Sequence, residues 1–240
     1  MTDHGSPTEL LWFRQDLRLA GNPALAAALA RGGPLIPVYI HAPEEEGDWP
    51  PGAASCWWLA GSLAALDADL RARGSRLTVL RGPTADALRR LAAMTGATAV
   101  SWNRRYEPAA AARDAALATS LPADGLHVRI HAAALLAEPW TVATQAGRPF
   151  QVFTPFWRAQ LRQLDPPLPD PAPEWIPGPE DWPATLPLDS LGLLPVVPWD
   201  RAMRACWQPG ESGAHAALER FLATAFADPK DGLQANFQER

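Results

Sequence analysis

Lysine is almost missing from this 240-residue chain: Lys230 is the only one, and every other fixed positive charge is an arginine. We read that shortage as compositional bias, alongside abundant alanine and proline. With a formal charge of -5, no global field draws the chain to nucleic acid, so a DNA role would need another surface or segment. Cysteine is equally scarce. Cys56 and Cys206 stand alone, with no CxxC spacing and no nearby histidine pair, which excludes a disulfide framework and a Cys/His metal site and fits a reduced cytoplasmic protein. No apolar run approaches the ~20 residues that span a bilayer. Met1-Thr2-Asp3-His4-Gly5 lacks the basic-then-apolar pattern of a signal peptide. A soluble chain with no membrane partner is expected.

At 48% hydrophobic, the chain can bury one full α/β core with an appendage. Short apolar runs alternate with helical patterns. Strands are predicted at Leu10 to Phe13, Leu35 to Ile40, Leu77 to Leu80, Ala97 to Trp102 and Leu126 to Ile130. Helices are predicted at Pro23 to Arg31, Ala53 to Arg73, Pro83 to Met94 and Ala109 to Leu117. Strict alternation with continuously apolar strands implies a parallel sheet covered on both faces, and right-handed crossovers make it a Rossmann-like, doubly wound, five-stranded α/β fold. Pro83 and Pro108 suit first-turn positions, and Gly74 and Gly96 sit where C-terminal caps belong.

From Asp165 to Pro198 eleven prolines are interleaved with acids and tryptophans. That stretch excludes regular helix and central strand. Trp175, Trp182 and Trp199 are expected to pin it to a surface. Gly213 to Phe226 reads as a C-terminal helix whose Leu218, Phe221, Leu222 and Phe226 face has nothing local to cover it.

Three polar constellations follow strands. The first strand ends in Arg14-Gln15-Asp16-Leu17-Arg18, where a dinucleotide fold places GxGxxG, and no GxxxxGK[ST] occurs. Rossmann-type NAD or FAD binding and P-loop binding are therefore disfavoured. Arg14, Asp16 and Arg18 either form a fixed ion-pair lattice or face a ligand at the carboxyl edge of the sheet, where α/β proteins bind ligands. Ser101-Trp102-Asn103-Arg104-Arg105-Tyr106-Glu107-Pro108 ends the fourth strand at the same edge. Glu107 either serves the following helix terminus or joins Trp102 and Asn103 in offering a stacking face and hydrogen bonds to a flat heterocycle. Glu138-Pro139-Trp140, then Val152-Phe153-Thr154-Pro155-Phe156-Trp157, is on composition an aromatic packing segment.

In this order, across Leu10 to Leu161, the three stretches closely resemble the N-terminal half of the photolyase/cryptochrome family. The resemblance implies an antenna domain at 1–135, a proline-rich inter-domain linker at 136–205, and the start of a truncated helical domain at 206–240. It implies a chromophore pocket drawing on Trp12, Phe13, Arg14, Asp16, Arg18, Trp102, Asn103 and Glu107. Arg14 would offer a planar cation to a ligand carbonyl or phosphate, and Trp102 an aromatic wall. The antenna would be a hydroxy-deazaflavin, a flavin mononucleotide or methenyltetrahydrofolate.

The chain also departs from the family. Where some relatives hold folate with an Asn-Glu pair, Ala109 and Ala110 stand here, which disfavours that folate mode. Cys56 replaces a basic residue near the second helix. The flavin-phosphate Gly-Thr-Ser-x-Leu-Ser motif has no counterpart, and Leu233 to Arg240 leave the family pattern. FAD is thus expected only in a full-length relative, whose helical domain would be this chain's partner and its route to DNA. The family reaction is light-driven splitting of cyclobutane pyrimidine dimers, and this chain alone is expected to be inactive. No catalytic residue is nominated. The competing reading is a non-catalytic nucleotide-binding or interaction module of Rossmann-like fold.

Overall fold

A computed structural model describes residues 7–144, 146–166 and 168–225. Met1 to Gly5, Pro167, Phe226, Lys230 and the run Leu233 to Arg240 lie outside the described residues.

Five parallel strands, β1 (Glu9–Phe13), β2 (Leu35–His41), β3 (Thr78–Arg81), β4 (Ala99–Asn103) and β5 (His127–His131), form one sheet in the order β3-β2-β1-β4-β5. Helices α1 (Pro23–Arg31), α2 (Ala53–Arg71), α3 (Thr84–Thr95) and α4 (Pro108–Ser120) make the crossovers. Asn22 starts α1 by accepting from the Leu25 N–H, with Pro23 in the first turn. Gly96 ends α3 in the left-handed region at φ 66°, its N–H donating to Ala92, a backbone turn that glycine makes without a Cβ clash. This is the doubly wound arrangement read from the alternation.

Strand residues alternate between two cores. Leu11 and Phe13 pack with Leu25 of α1 and Leu63, Leu66 and Leu70 of α2. Leu10 and Trp12 pack with Leu88 and Leu91 of α3, Leu117 of α4 and Trp102. Because the order reverses at β1, whose neighbours are β2 and β4, a topological switch point opens beside its carboxyl end.

The proline-rich stretch lies against the sheet without being part of it. The Leu186 N–H donates to Val79 of β3, and the Val79 N–H to Thr185 Oγ1. Ile176, Leu191 and Leu193 enter the first core. Trp182 lies under the Arg76 guanidinium, 4.9 Å from its ring centroid. Trp175 sits so close to Gly74 (φ 79°) that a Cβ there would lie 2.0 Å from the ring.

Two helices were not foreseen. α5 (Phe153–Gln163) occupies the aromatic segment, since Pro155 in its first turn leaves the ladder intact and Phe153 and Trp157 stack one turn apart, centroids 6.2 Å. α6 (Arg201–Cys206) follows Asp200, whose carboxylate accepts from Arg204 Nε one turn on. α7 (Glu211–Ala225) does have local cover, packing on α2, yet Leu218, Phe221 and Leu222 stay about half exposed. Among the described residues, no helix is long and apolar enough to cross a membrane, and no His/Cys/Asp/Glu cluster suits a metal.

Candidate functional site

The carboxyl ends of β1 and β4 are tied together by a buried polar lattice. Arg14 is 6% exposed, and its Nη1 donates to both oxygens of Asp114 on α4, at 2.8 and 2.7 Å. Its Nη2 donates to the Asn103 carbonyl. Asn103 in turn donates through Nδ2 to Asp16 and Asn22, while its Oδ1 accepts from the Ala24 N–H. Asp16 also accepts from the Arg14 N–H at 3.0 Å. Arg18 closes the loop by donating to the Gly21 carbonyl at 2.9 Å. Burial pulls the Arg14 guanidinium below its ordinary value, and the Asp114 carboxylate opposes that pull.

Beside this lattice, above β1 and β2, lies a cavity of about 240 Å³. Tyr39 and His41 line it from the end of β2, Trp12 and Arg14 from β1, Cys56 and Leu59 from α2, Arg105 from the loop after β4, and Arg113 from α4. Glu46 faces these cations. It accepts from Arg105 Nη1 at 3.1 and 3.0 Å and from Arg113 Nη1 at 3.3 Å. Both arginines at the inner wall sit against one indole, Arg14 and Arg113 lying 4.6 and 5.1 Å from the Trp12 centroid. Burial, then Glu46, pushes the Tyr39 hydroxyl well above its usual range. His41 is held below its ordinary value by burial and then by Arg81.

The nominated residues therefore separate into groups. Trp12 and Arg14 line the cavity. Asp16 and Asn103 hold the lattice, and Asp16 and Arg18 line a larger neighbouring cleft of about 940 Å³ bounded by α2 and α7. Phe13 and Trp102 lie wholly in the two cores, Trp102 at 0% exposure with its ring edge-on to Trp12, centroids 5.4 Å apart. Trp102 thus supports the indole that lines the cavity and has no open face of its own. Glu107 points outward, taking Arg105 and the Tyr106 N–H. Burial raises its pKa, but those partners outweigh it and leave the carboxyl below its ordinary value.

Tyr39, His41, Glu46, Arg113 and Asp114 escaped the sequence reading. The first two end β2 at the same edge rule that singled out β1 and β4. Asp114, buried within the alanine-rich α4, was a charge on a core face, which calls for a partner.

The DNA photolyase family profile matches residues 9–174. The chain belongs to the DNA photolyase family. It is 43% identical over 224 residues to a deoxyribodipyrimidine photo-lyase of Agrobacterium fabrum, covering 93% of this chain and 46% of that protein. The crystal structure of a bacterial class III photolyase from Agrobacterium tumefaciens superposes with a TM-score of 0.86 at 42% identity, over 93% of this chain and 46% of that one. An uncharacterised 31.6 kDa protein of Synechococcus is 32% identical, over 98% of this chain and 81% of its own length. This photolyase-family chain thus spans about half the length of the photolyases it matches, with an N-terminal photolyase-family domain, and more of the shorter relative.

Proposed function

We propose that this chain is the light-harvesting part of a photolyase-like DNA repair protein of the cytoplasm, and that the 240 Å³ cavity seats the ring system of an antenna chromophore. The observation that carries this is the lining of the cavity: the Trp12 indole has the Arg14 and Arg113 guanidiniums against it, beside Tyr39, His41 and Arg105. An aromatic wall ringed by cations suits a flat heterocycle with a carbonyl or carboxylate edge. Hydroxy-deazaflavin, flavin mononucleotide and methenyltetrahydrofolate each carry such an edge.

Size narrows the ligand. Cavities that engulf a drug-sized ligand run to about 300–1,000 Å³. One of about 240 Å³ encloses a ring system and leaves any ribityl or glutamyl tail outside. Bound here, the antenna supplies absorption in the near-ultraviolet or blue. This chain's residues orient the ring, supply its hydrogen-bond donors and keep water from one face.

Dimer splitting itself needs a reduced flavin, and the cofactor carries that chemistry. We assign the flavin and the DNA contact to the helical domain of full-length relatives, docked against this chain. Purified chain with FAD, light and a dimer-containing oligonucleotide is expected to repair no faster than a protein-free control.

The direct test is colour. The chain is incubated with each of the three candidate chromophores, desalted, and scanned across the near-ultraviolet and blue. One of them is expected to co-elute with an absorption band, and Cys56→Phe, which fills the cavity from α2, to abolish the band with the melting temperature kept. A chain that stays colourless with all three and is stabilised by ATP overturns this reading in favour of a nucleotide-binding module.

A further inference from the structure

The cavity is not closed by the α/β domain. Part of its wall comes from the linker, where Leu191, Gly192 and Leu193 line it together with Tyr39 and Leu59. We propose that the segment from Leu188 to Leu193 is a hinged wall that governs entry to the cavity, and that Arg81, at the end of β3, is the positioning residue that holds it shut. The proposal rests on the cavity as geometry, and its use for a chromophore rests on the antenna reading above.

Four observations support it. Leu191 and Leu193, at 4% and 7% exposure, insert into the core that also holds Leu11, Phe13 and Tyr39. The wall is therefore seated by apolar burial, a short-range force that opening by a few ångströms removes. Arg81 Nη2 donates to two successive carbonyls of the wall, Ser190 at 3.2 Å and Leu191 at 3.1 Å. Upstream, the chain is fixed to β3 by the Leu186 and Val79 amides. Downstream, Leu194, Val196 and Val197 are 50%, 101% and 69% exposed. The wall is thus anchored on one side, latched by one cation, and followed on the other by an exposed stretch.

Gly192 supplies the bend. It lies at φ 68° in the left-handed region, and no heavy atom lies within 4 Å of where a Cβ would sit. A side chain there strains the backbone without a clash. Gly192→Ala therefore perturbs the closed wall alone, whereas Arg81→Ala removes the latch together with the charge that acts on His41.

Cys56 makes opening measurable without any ligand. It lines the cavity and is partly buried, whereas Cys206 is exposed. In a Cys206→Ser background, labelling of Cys56 by N-ethylmaleimide reads access past the wall. Two hydrogen bonds from a half-exposed charged donor correspond to roughly a three- to tenfold change in an opening equilibrium. Arg81→Ala is expected to speed Cys56 labelling by about that factor, Arg81→Lys by less, and Gly192→Ala by roughly five- to tenfold through backbone strain. Melting temperatures should stay within about 3 °C, which separates wall opening from global unfolding. Unchanged labelling in both Arg81→Ala and Gly192→Ala would overturn the proposal. Faster labelling in a chain that binds no chromophore keeps the hinged wall and removes the antenna reading. Bound chromophore with unchanged labelling does the reverse.

Discussion

Arg14→Met is the perturbation that most sharply divides structure from ligand recognition at this edge. The Arg14 and Asp114 side chains are 5% and 7% exposed, so the substitution strands a carboxylate in the core. Removing one partner of a buried pair typically costs about 3–5 kcal/mol. Arg113 Nε, 3.7 Å from Asp114 Oδ1, offers partial compensation and places the expectation near the lower end, about 3 kcal/mol. For a chain of this size, that corresponds to a fall of roughly 6–12 °C in melting temperature. Replacing both partners by apolar side chains is often close to neutral, so Arg14→Met with Asp114→Leu is expected to regain most of the loss. The assay is urea unfolding of the four members of the cycle, followed by tryptophan fluorescence. A cost below about 1 kcal/mol for Arg14→Met, or a double variant no better than the single, would refute the argument. The consequence for function is direct: loss of a chromophore band in Arg14→Ala reports a collapsed lattice as readily as a lost contact.

Other perturbations probe the remaining joints. Both Glu211 carboxylate oxygens accept from the β1–α1 loop, from the Leu19 N–H at 2.8 Å and the Ala20 N–H at 3.0 Å. Glu211→Gln should speed hydrogen exchange at those two amides by about tenfold, and unchanged exchange would show that α7 is held without it. Gly74→Ala has to displace Trp175 and adopt a left-handed backbone, at a cost of about 1–2 kcal/mol or more. Limited proteolysis should then cut the linker near Trp175 faster than in the parent. Burial, then Arg31, holds His131 below its ordinary value of 6.5, and burial, then Arg81, does the same for His41. The unfolded chain therefore binds more protons than the folded one as pH falls through about 6.5, so this contribution is present above that pH and is lost on acidification. Unfolding measured between about pH 7.5 and pH 5 should show stability falling with pH, and the double variant His41→Gln with His131→Gln should flatten the slope. An unaltered slope would assign it to other groups.

Much of the fold was legible because each signal was local. Apolar strands of four to seven residues separated by alanine-rich helical stretches declare a parallel α/β sheet, and the boundaries of α3 were readable from Pro83 and Gly96. α5 was less legible. Its Pro155 and dense aromatics resembled loop packing, and only the Phe153 and Trp157 stack, one turn apart, reveals a helix. At the site, Trp12 and Arg14 were found because they end a strand at the ligand edge. Trp102 met the same criterion and lies in the core, edge-on to Trp12 on the same face, because the motif places a residue at an edge without saying how completely its neighbours cover it. The stretch from Asp165 to Pro198 was readable as free of regular helix, but nothing in its prolines showed that Leu191 and Leu193 would wall a cavity.

By itself, the sequence determined which residues end the strands, through the alternation of elements and the two-residue period of strands. Tertiary structure alone decided what they do there. Arg14 meets Asp114 across 100 residues, and that pairing turns a cation available to a ligand into a buried fastening. Arg113, which no motif marks, lines the cavity while it donates to Glu46. A charge is spoken for or free according to the partner the fold brings within about 3 Å of it, and no spacing along the chain carries that information.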